Sequence, residues 1–372
     1  MTGNGKGRPQ RSHPEPLAGA PDTAAPNGHP TVRDVAAAAR VSVGVASVVL
    51  RDATSTIRVG PRTRERVRRA ARQLGYTPNA AARALRTGRS NAIGVVVRQL
   101  RHHFFMAVIE GIDRACRAAG YHVLLGHVHG DEQEERAVLD LFARGRTDGL
   151  LILGEVPHDG AAIRAALARG IPTVLVARPA VAGAPAVTVD LETSMTLALD
   201  HLASLGHRVV ALPQFPAALA MPTSGVRLAA AEAYARAAGW PSPLRFDSEQ
   251  ARAGQLGPWL RAALAADPPL TAVLASDLIA VGVLKAAHRA GIAVPERLSI
   301  VALDGTEVTG YTTPELTAVT PPLEQLGVTA AELLLQQLRT PPAGRAAPAT
   351  TLHLPPAFTP RASTARAPRR DR

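Results

Sequence analysis

The sequence predicts an all-α helix-turn-helix head joined to an α/β body of two lobes, each built on a doubly wound parallel sheet. Three observations lead there. Helical periodicity fills residues 31–74, and near Asn91 it gives way to short β-rich runs alternating with helix-length segments. That alternation restarts after Asp190, and 372 residues exceed what a single core comfortably serves. The charge is split as well. The chain is formally +12; residues 1–90 hold 16 Lys/Arg against 5 Asp/Glu, and residues 361–372 hold 5 Arg against 1 Asp, leaving the middle at −3. A basic head on a weakly acidic body is the balance of a polyanion-binding module fused to an ordinary globular domain.

Residues 1–30 are rich in Pro, Gly, Ala and Asn without hydrophobic periodicity and read as a disordered tail. Thr31 opens the first helix as N-cap, with Asp34 in the first turn and Val32, Val35, Ala36 and Ala39 as the apolar stripe. Ser42 starts a second helix carrying Val45, Ala46, Val49 and Leu50 inward. Pro61 opens a third that ends before Gly75, with Val67, Ala70, Ala71 and Leu74 facing the core. Three short helices, the first two joined by a tight turn, outline a helix-turn-helix unit over 31–77. Within 78–90, Pro78 opens a run of helix formers that Gly88 closes, so 79–86 reads as one short helix. A helix this short is marginal in water without a partner.

From Asn91 onward, strands are expected at 92–97, 121–125, 149–153 and 172–176, with helices at about 104–119, 131–144 and 159–169 between them. After Asp190 come a helix at 193–205, a strand at 208–212, a helix at 225–238 and a weak strand at 244–247. A helix at 252–265, a strand at 271–275, a helix at 278–290 and a strand at 299–303 follow, and a last helix at about 322–338. This divides the body, 91–365, into a first lobe (about 91–189 plus 320–340) and a second (about 190–319 plus 349–365), with 366–372 a basic tail. In such sheets ligands bind at the carboxyl ends of the strands, so the cleft between lobes is the expected pocket.

Other readings are narrowed by what the sequence contains. The single cysteine, Cys116, sits at helical spacing from Ile109 and Ile112 and reads as a small buried hydrophobe. No apolar run approaches the ~18 residues of a membrane span, and the N-terminus lacks a secretory apolar stretch, so a cytoplasmic protein is expected. His127 and His129 alternate like a strand end but lack a third spaced ligand, so no metal or other cofactor is expected. No nucleophile elbow, phosphate loop or dinucleotide fingerprint appears, which argues against an enzyme.

Thr31-Val-Arg-Asp-Val-Ala, Val41-Ser-Val, Thr63-Arg-Glu-Arg-Val, Leu74-Gly-Tyr-Thr-Pro-Asn and Ala82-Arg-Ala-Leu-Arg-Thr-Gly together resemble the DNA-binding head of the lac-repressor (LacI/GalR) family of transcription regulators. The likeness continues through Ile93-Gly-Val-Val-Val, Phe104-Phe105, Asp148-Gly-Leu-Leu-Ile, Ala275-Ser-Asp-Leu-Ile-Ala-Val-Gly and Arg361-Ala-Ser-Thr, covering roughly residues 31–365. The resemblance implies a periplasmic-binding-protein-like body, a homodimer, a pseudo-palindromic operator in double-stranded DNA, and a small effector, sugar or sugar derivative, bound between the lobes. A repressor is the favoured reading. A solute-binding protein sharing the two-lobed body is the alternative, and the basic head argues against it.

By position, the resemblance puts base readers on Val43, Gly44 and Val48, with Val45 beside them and Ser42, Ser47 and Thr31 near phosphates or base edges. Val48 stands where the family commonly has an arginine. Arginine to guanine is the commonest specific contact, and a valine reaches at best a thymine methyl, so a different half-site is expected. Asn79, Arg83 and Leu85 match the family's hinge helix, in which a leucine wedges between base pairs in the minor groove. In the body the resemblance points to Phe104, Phe105, Arg227, Ser276, Asp277 and Asp304 for the effector. Arg227 and Asp304 have structural ion pairing as their alternative. Departures add Gln99 and His102, where the family often has an acidic Pro-Asp motif, and leave Arg178 preceded by Ala177 rather than Asp. Losing two carboxylates leaves room for an anionic effector.

Overall fold

In the computed structural model the described residues are 30–51, 58–77, 88–98, 100, 102–129, 131–154, 160–177, 181, 183–216, 222–339 and 350–368. The expected tail, the 79–86 helix and the end of the basic tail lie outside them, as do Gln99 and Arg178. The chain divides into two compact units, 1–83 and 84–372.

The head holds three helices: α1 (Val32–Ala38), α2 (Val43–Arg51) and α3 (Pro61–Leu74). Thr31 and Asp34 close α1 with a reciprocal capping box: the Asp34 amide donates to Thr31 Oγ1, and the Thr31 amide donates to Asp34 Oδ2 at 2.6 Å. Arg40, at φ 51°, makes the tight turn into α2, and Gly75, at φ 64°, ends α3. Val35, Ala36, Ala39, Ala46, Val49, Val67, Ala70 and Ala71 form the head's core. Leu74, expected to face inward, is 38% exposed. It is the last residue of α3, and Tyr76 beyond the Gly75 turn packs on the core in its place.

In the first lobe, β1 (Ala92–Val97), β2 (His122–His127), β3 (Gly149–Leu153), β4 (Thr173–Val176), β5 (Ala186–Val189) and β11 (Thr351–Leu354) form one parallel sheet in the order β11-β5-β4-β3-β1-β2. One face packs on α4 (His103–Ala118) and α12 (Leu323–Arg339), through Ile93, Val95 and Val97 against Ile112, Leu326 and Leu334. The other packs on α5 (Glu132–Ala143) and α6 (Ala161–Ala168) through Val96, Leu150 and Ile152. Helices α4 and α12 cross at backbone contact because two glycines face each other. A Cβ on Gly111 would lie 2.1 Å from the Glu324 carbonyl oxygen, and one on Gly327 2.0 Å from that of Val108.

The second lobe repeats the plan. Its sheet, in the order β12-β10-β9-β8-β6-β7, comprises β6 (Val210–Gln214), β7 (Leu244–Asp247), β8 (Ala272–Ala275), β9 (Ser299–Ala302), β10 (Thr317–Thr320) and β12 (Ala357–Thr359). Helices α7 (Leu191–Ser204) and α8 (Pro222–Ala238) cover one face, α9 (Ser248–Ala253), α10 (Gly257–Ala265) and α11 (Asp277–Arg289) the other. The chain passes between lobes after β5, after β10 and after β11, and the first and third crossings touch where the Asp190 amide donates to Leu354 O.

Three expectations are corrected. Strand β12 runs antiparallel to β10, so the second sheet is not wholly parallel. Residues 351–354 pair with β5 and belong to the first lobe, although 349–365 was assigned to the second. The helix expected at 252–265 is two, because Gly254 turns left-handed at φ 69° and stops α9. Strands β5, β10, β11 and β12 were not foreseen; at three or four residues each they are too short to carry a period.

Candidate effector site and DNA-binding surface

The recognition surface expected from the sequence is the N-terminal end of α2. Ser42 Oγ accepts from the Val45 amide at 3.3 Å, so the residue expected near phosphate also caps the helix. Ser42, Val43 and Gly44 are exposed, Val43 by 45%. Val45 and Ser47 are half-buried, and Val48 is only 5% exposed. Of the residues expected to read bases, Val48 is the one that the structure buries. It is buried beside the core residue Val49 and offers no open methyl to a base edge. Thr31 spends its hydroxyl inside the capping box, donating to Asp34 Oδ2 at 2.7 Å. Asn79, Arg83 and Leu85 lie outside the described residues.

Where the linker joins the first lobe, Asp148 pins it. Its Oδ1 accepts from the Ser90 amide at 2.6 Å and the Ser90 hydroxyl at 2.7 Å, and Oδ2 accepts from the Asn91 amide at 3.0 Å. Asp148 directly precedes β3, so the segment entering β1 is tied to the sheet's amino edge.

The carboxyl ends of the strands open on a cavity of about 220 Å³ between the lobes. Phe104 and Phe105, from the first turn of α4, form its first-lobe wall with ring centres 5.2 Å apart, edge to face. Gly154 makes room for them, since a Cβ there would lie 2.8 Å from Phe105 Cζ. His102, the residue before α4, lies 5.8 Å from the Phe105 ring. Burial pushes its imidazole pKa down, with Asp304 opposing and Arg227 and Arg252 reinforcing the shift.

From the second lobe, Arg227 on α8 donates through Nη2 to Asp304 Oδ1 at 2.8 Å and to the Leu303 carbonyl at 3.3 Å. Their side chains are 19% and 6% exposed. Burial opposes ionisation of Asp304, but the Arg227 guanidinium overcomes it and holds the carboxyl below its ordinary range. Two polar atoms of the cavity lining, one from each lobe, Arg227 Nε and His102 Nδ1, are buried without a hydrogen-bond partner. Groups of that kind carry a cost unless something binds them.

Asp277 does not join the cavity lining. Its carboxylate accepts from the amides of Asp304, Gly305 and Thr306 and from the Thr306 hydroxyl, at 2.7–3.2 Å. Burial and the neighbouring Asp304 charge push it up to about 6, against these hydrogen bonds. It is the brace that shapes the turn after β9 and so aims Asp304; its neighbour Ser276 does line the cavity. The structure thus brings His102, Phe104, Phe105, Arg227, Ser276 and Asp304 to one place. Sequence reasoning missed Arg98, Thr188, Phe215, Glu249 and Arg252, which also line it. Arg98 and Phe215 were findable, because each lies just beyond the carboxyl end of a parallel strand that the sequence marks, whereas Thr188 sits on β5, which it does not.

A three-helix head presenting the start of its second helix, together with a two-lobed α/β body enclosing a polar, aromatic-walled cavity, defines the class of ligand-responsive DNA-binding regulators. The model of bacterial regulatory proteins, lacI family, matches residues 31–79, and that of the periplasmic binding protein-like domain matches 199–364. The chain is 30% identical over 351 residues to the transcriptional repressor PurR of Erwinia tasmaniensis, covering 92% of this chain and 98% of the relative. It is 31% identical over 316 residues to the repressor CytR of Escherichia coli K12, covering 83% and 90%. The lac repressor dimer bound to operator and the anti-inducer ONPF superposes with a TM-score of 0.76 at 26% identity, over 91% of this chain and 99% of that one. The chain belongs to the LacI family: it is a DNA-binding transcriptional regulator controlled by a small-molecule effector.

Proposed function

We propose that two copies of the chain repress transcription from a pseudo-palindromic operator in the cytoplasm, and that the effector is a sugar or sugar derivative held on Arg227 and Asp304. The observation that carries the ligand reading is the Arg227–Asp304 pair with its orphaned neighbours, Arg227 Nε and His102 Nδ1, in a wall lined by Phe104, Phe105 and Phe215. A carboxylate accepts from one ring hydroxyl and the guanidinium beside it donates to the next, while phenyl faces cover the apolar side of the ring. Ring binding between the lobes draws both walls toward each other, and the Asp148 clamp passes first-lobe movement to the linker. Exposed Leu124 and Leu125, 39% and 47% on the edge strand β2, support a subunit contact, and the similar lac repressor is a dimer. At the operator, Val43 and Gly44 meet base edges and Leu85 wedges the central step.

Thermal-shift screening of the full chain against neutral and charged sugars, followed by titration calorimetry of the hits, tests the reading. A stabilising compound is expected to lose at least tenfold in affinity in Phe105→Ala and in Asp304→Asn. A hit that binds both variants as tightly as the parent protein contradicts the cavity as the effector site.

A further inference from the structure

We infer that Arg62, Arg66 and Arg69, one row along the third helix of the head, hold neighbouring phosphates of a DNA strand and supply affinity that is independent of sequence. The inference rests on the head binding duplex DNA and adds which side chains grip the backbone. Helix α3 carries six arginines and one glutamate. They are not equivalent. Arg72 Nη2 donates to Glu65 Oε1 at 2.9 Å, Arg64 Nε donates to the Val59 carbonyl at 3.3 Å, and Arg68 also interacts within the chain. Arg62, Arg66 and Arg69 are exposed, and among the described residues they make no hydrogen bond or ion pair.

Their spacing puts them together. Positions i, i+4 and i+7 of a helix fall within an arc of about 60°. Val67, Ala70 and Ala71 turn into the core, so the row runs along an exposed flank. Asp34 and Glu65, the acids among the head's described residues, are held by Thr31 and by Arg72. Like charges at these spacings repel and weaken the helix that bears them, and a phosphate between them reverses that sign. From Arg62 to Arg69 the helix rises about 10 Å, comparable to the axial advance of about three phosphate steps on one strand. Guanidinium groups also take phosphate oxygens through two parallel N–H bonds. The need for such contacts comes from α2. Residues 42–48 contain no charged side chain, and Val48 is buried. Neutralising phosphates carries the sequence-independent part of DNA affinity, so its cations must come from other elements, and α3 offers three in line.

The test measures binding of the full chain to a site selected from a random duplex library, and to random duplex, across a salt series. Replacing the row together (Arg62→Gln, Arg66→Gln, Arg69→Gln) should lower the slope of log affinity against log salt by about 2.7, or about 0.9 for each phosphate. Each single substitution should remove about one third of that change, so the test does not depend on the triple variant folding. At about 0.1 M salt both duplexes should lose at least tenfold in affinity, by factors equal within about threefold, because phosphates carry no sequence information. Lysine at the three positions (Arg62→Lys, Arg66→Lys, Arg69→Lys) should retain most of the slope. Arg208→Gln with Arg236→Gln and Arg297→Gln, all exposed on the second lobe, removes the same charge and should leave the slope unchanged. A slope in the triple row variant within about 0.9 of the parent's, an equal fall in the second-lobe variant, or a loss confined to the selected site overturns the inference and leaves DNA binding by the head standing. A parent chain that binds neither duplex overturns both.

Discussion

Replacing Arg227 by Met removes the cation that keeps Asp304 charged and leaves the rest of the cavity in place. Deleting one partner of a buried ion pair costs about 3–5 kcal/mol, because the survivor stays buried and uncompensated. The Arg227 side chain keeps 19% exposure, so we expect the lower end, about 3 kcal/mol at pH 8. The sign follows from the carboxylate. In the parent protein the Asp304 pKa is depressed, so its contribution is present above the unfolded carboxylate range and is lost as pH falls through the folded value. In Arg227→Met, burial raises that pKa instead, so the penalty is full at pH 8 and shrinks as the carboxyl takes a proton on the way to pH 5. Denaturant unfolding can be followed by Trp240 and Trp259, both packed in the second lobe. The stability gap between the proteins should narrow by at least half between pH 8 and pH 5, and Arg227→Met with Asp304→Asn should recover most of the loss. A gap independent of pH, or a double variant as unstable as the single one, refutes the assignment of Arg227 as the counter-ion.

Gly111→Ala and Gly327→Ala should each destabilise the first lobe by roughly 2–3 kcal/mol in denaturant titrations, since helix α4 and helix α12 must separate to admit a methyl group. Asp148→Ala should leave folding and unliganded operator binding close to normal while reducing the effector's influence on DNA affinity several-fold, measured by fluorescence anisotropy with and without ligand. His102, with its pKa lowered by burial, favours the folded state above the ordinary imidazole range and loses that contribution as pH falls through its depressed value; His102→Gln should flatten the fall in melting temperature below pH 6. Leu125→Glu on the edge of β2 should shift the sedimentation of the full chain from dimer to monomer.

How much of this was readable beforehand depended on how strongly local chemistry spoke. The head was legible because Thr31 with Asp34, Pro61 and Gly75 mark helix ends by capping chemistry that needs no tertiary context. Long apolar strands such as Ala92–Val97 and Gly149–Leu153 were read to the residue, being buried on both faces. Strands β10, β11 and β12 were invisible, since three or four residues paired across a crossing carry no period of their own. Arg227 and Asp304 were named through resemblance for the effector, with ion pairing as the alternative, and are found paired at 2.8 Å, whereas Asp277 was named for the ligand and braces the Asp304 turn. Adjacent acidic positions at strand ends look alike in a sequence; only the direction of each carboxylate separates a brace from a ligand. Val48 shows the same limit, for a valine on a short helix gives no sign of which flank it takes.

If a ligand held between the lobes sets operator affinity, binding at one site must alter binding at the other. The most direct measurement is site selection from a random duplex library by the full chain at physiological ionic strength, repeated with a compound shown by calorimetry to bind the cavity. One two-fold symmetric site should be enriched, and its affinity should change tenfold or more with the compound, matched by an equal change in ligand affinity on DNA. Enrichment of no site, or an affinity for the site that the bound compound leaves unchanged, contradicts this coupling.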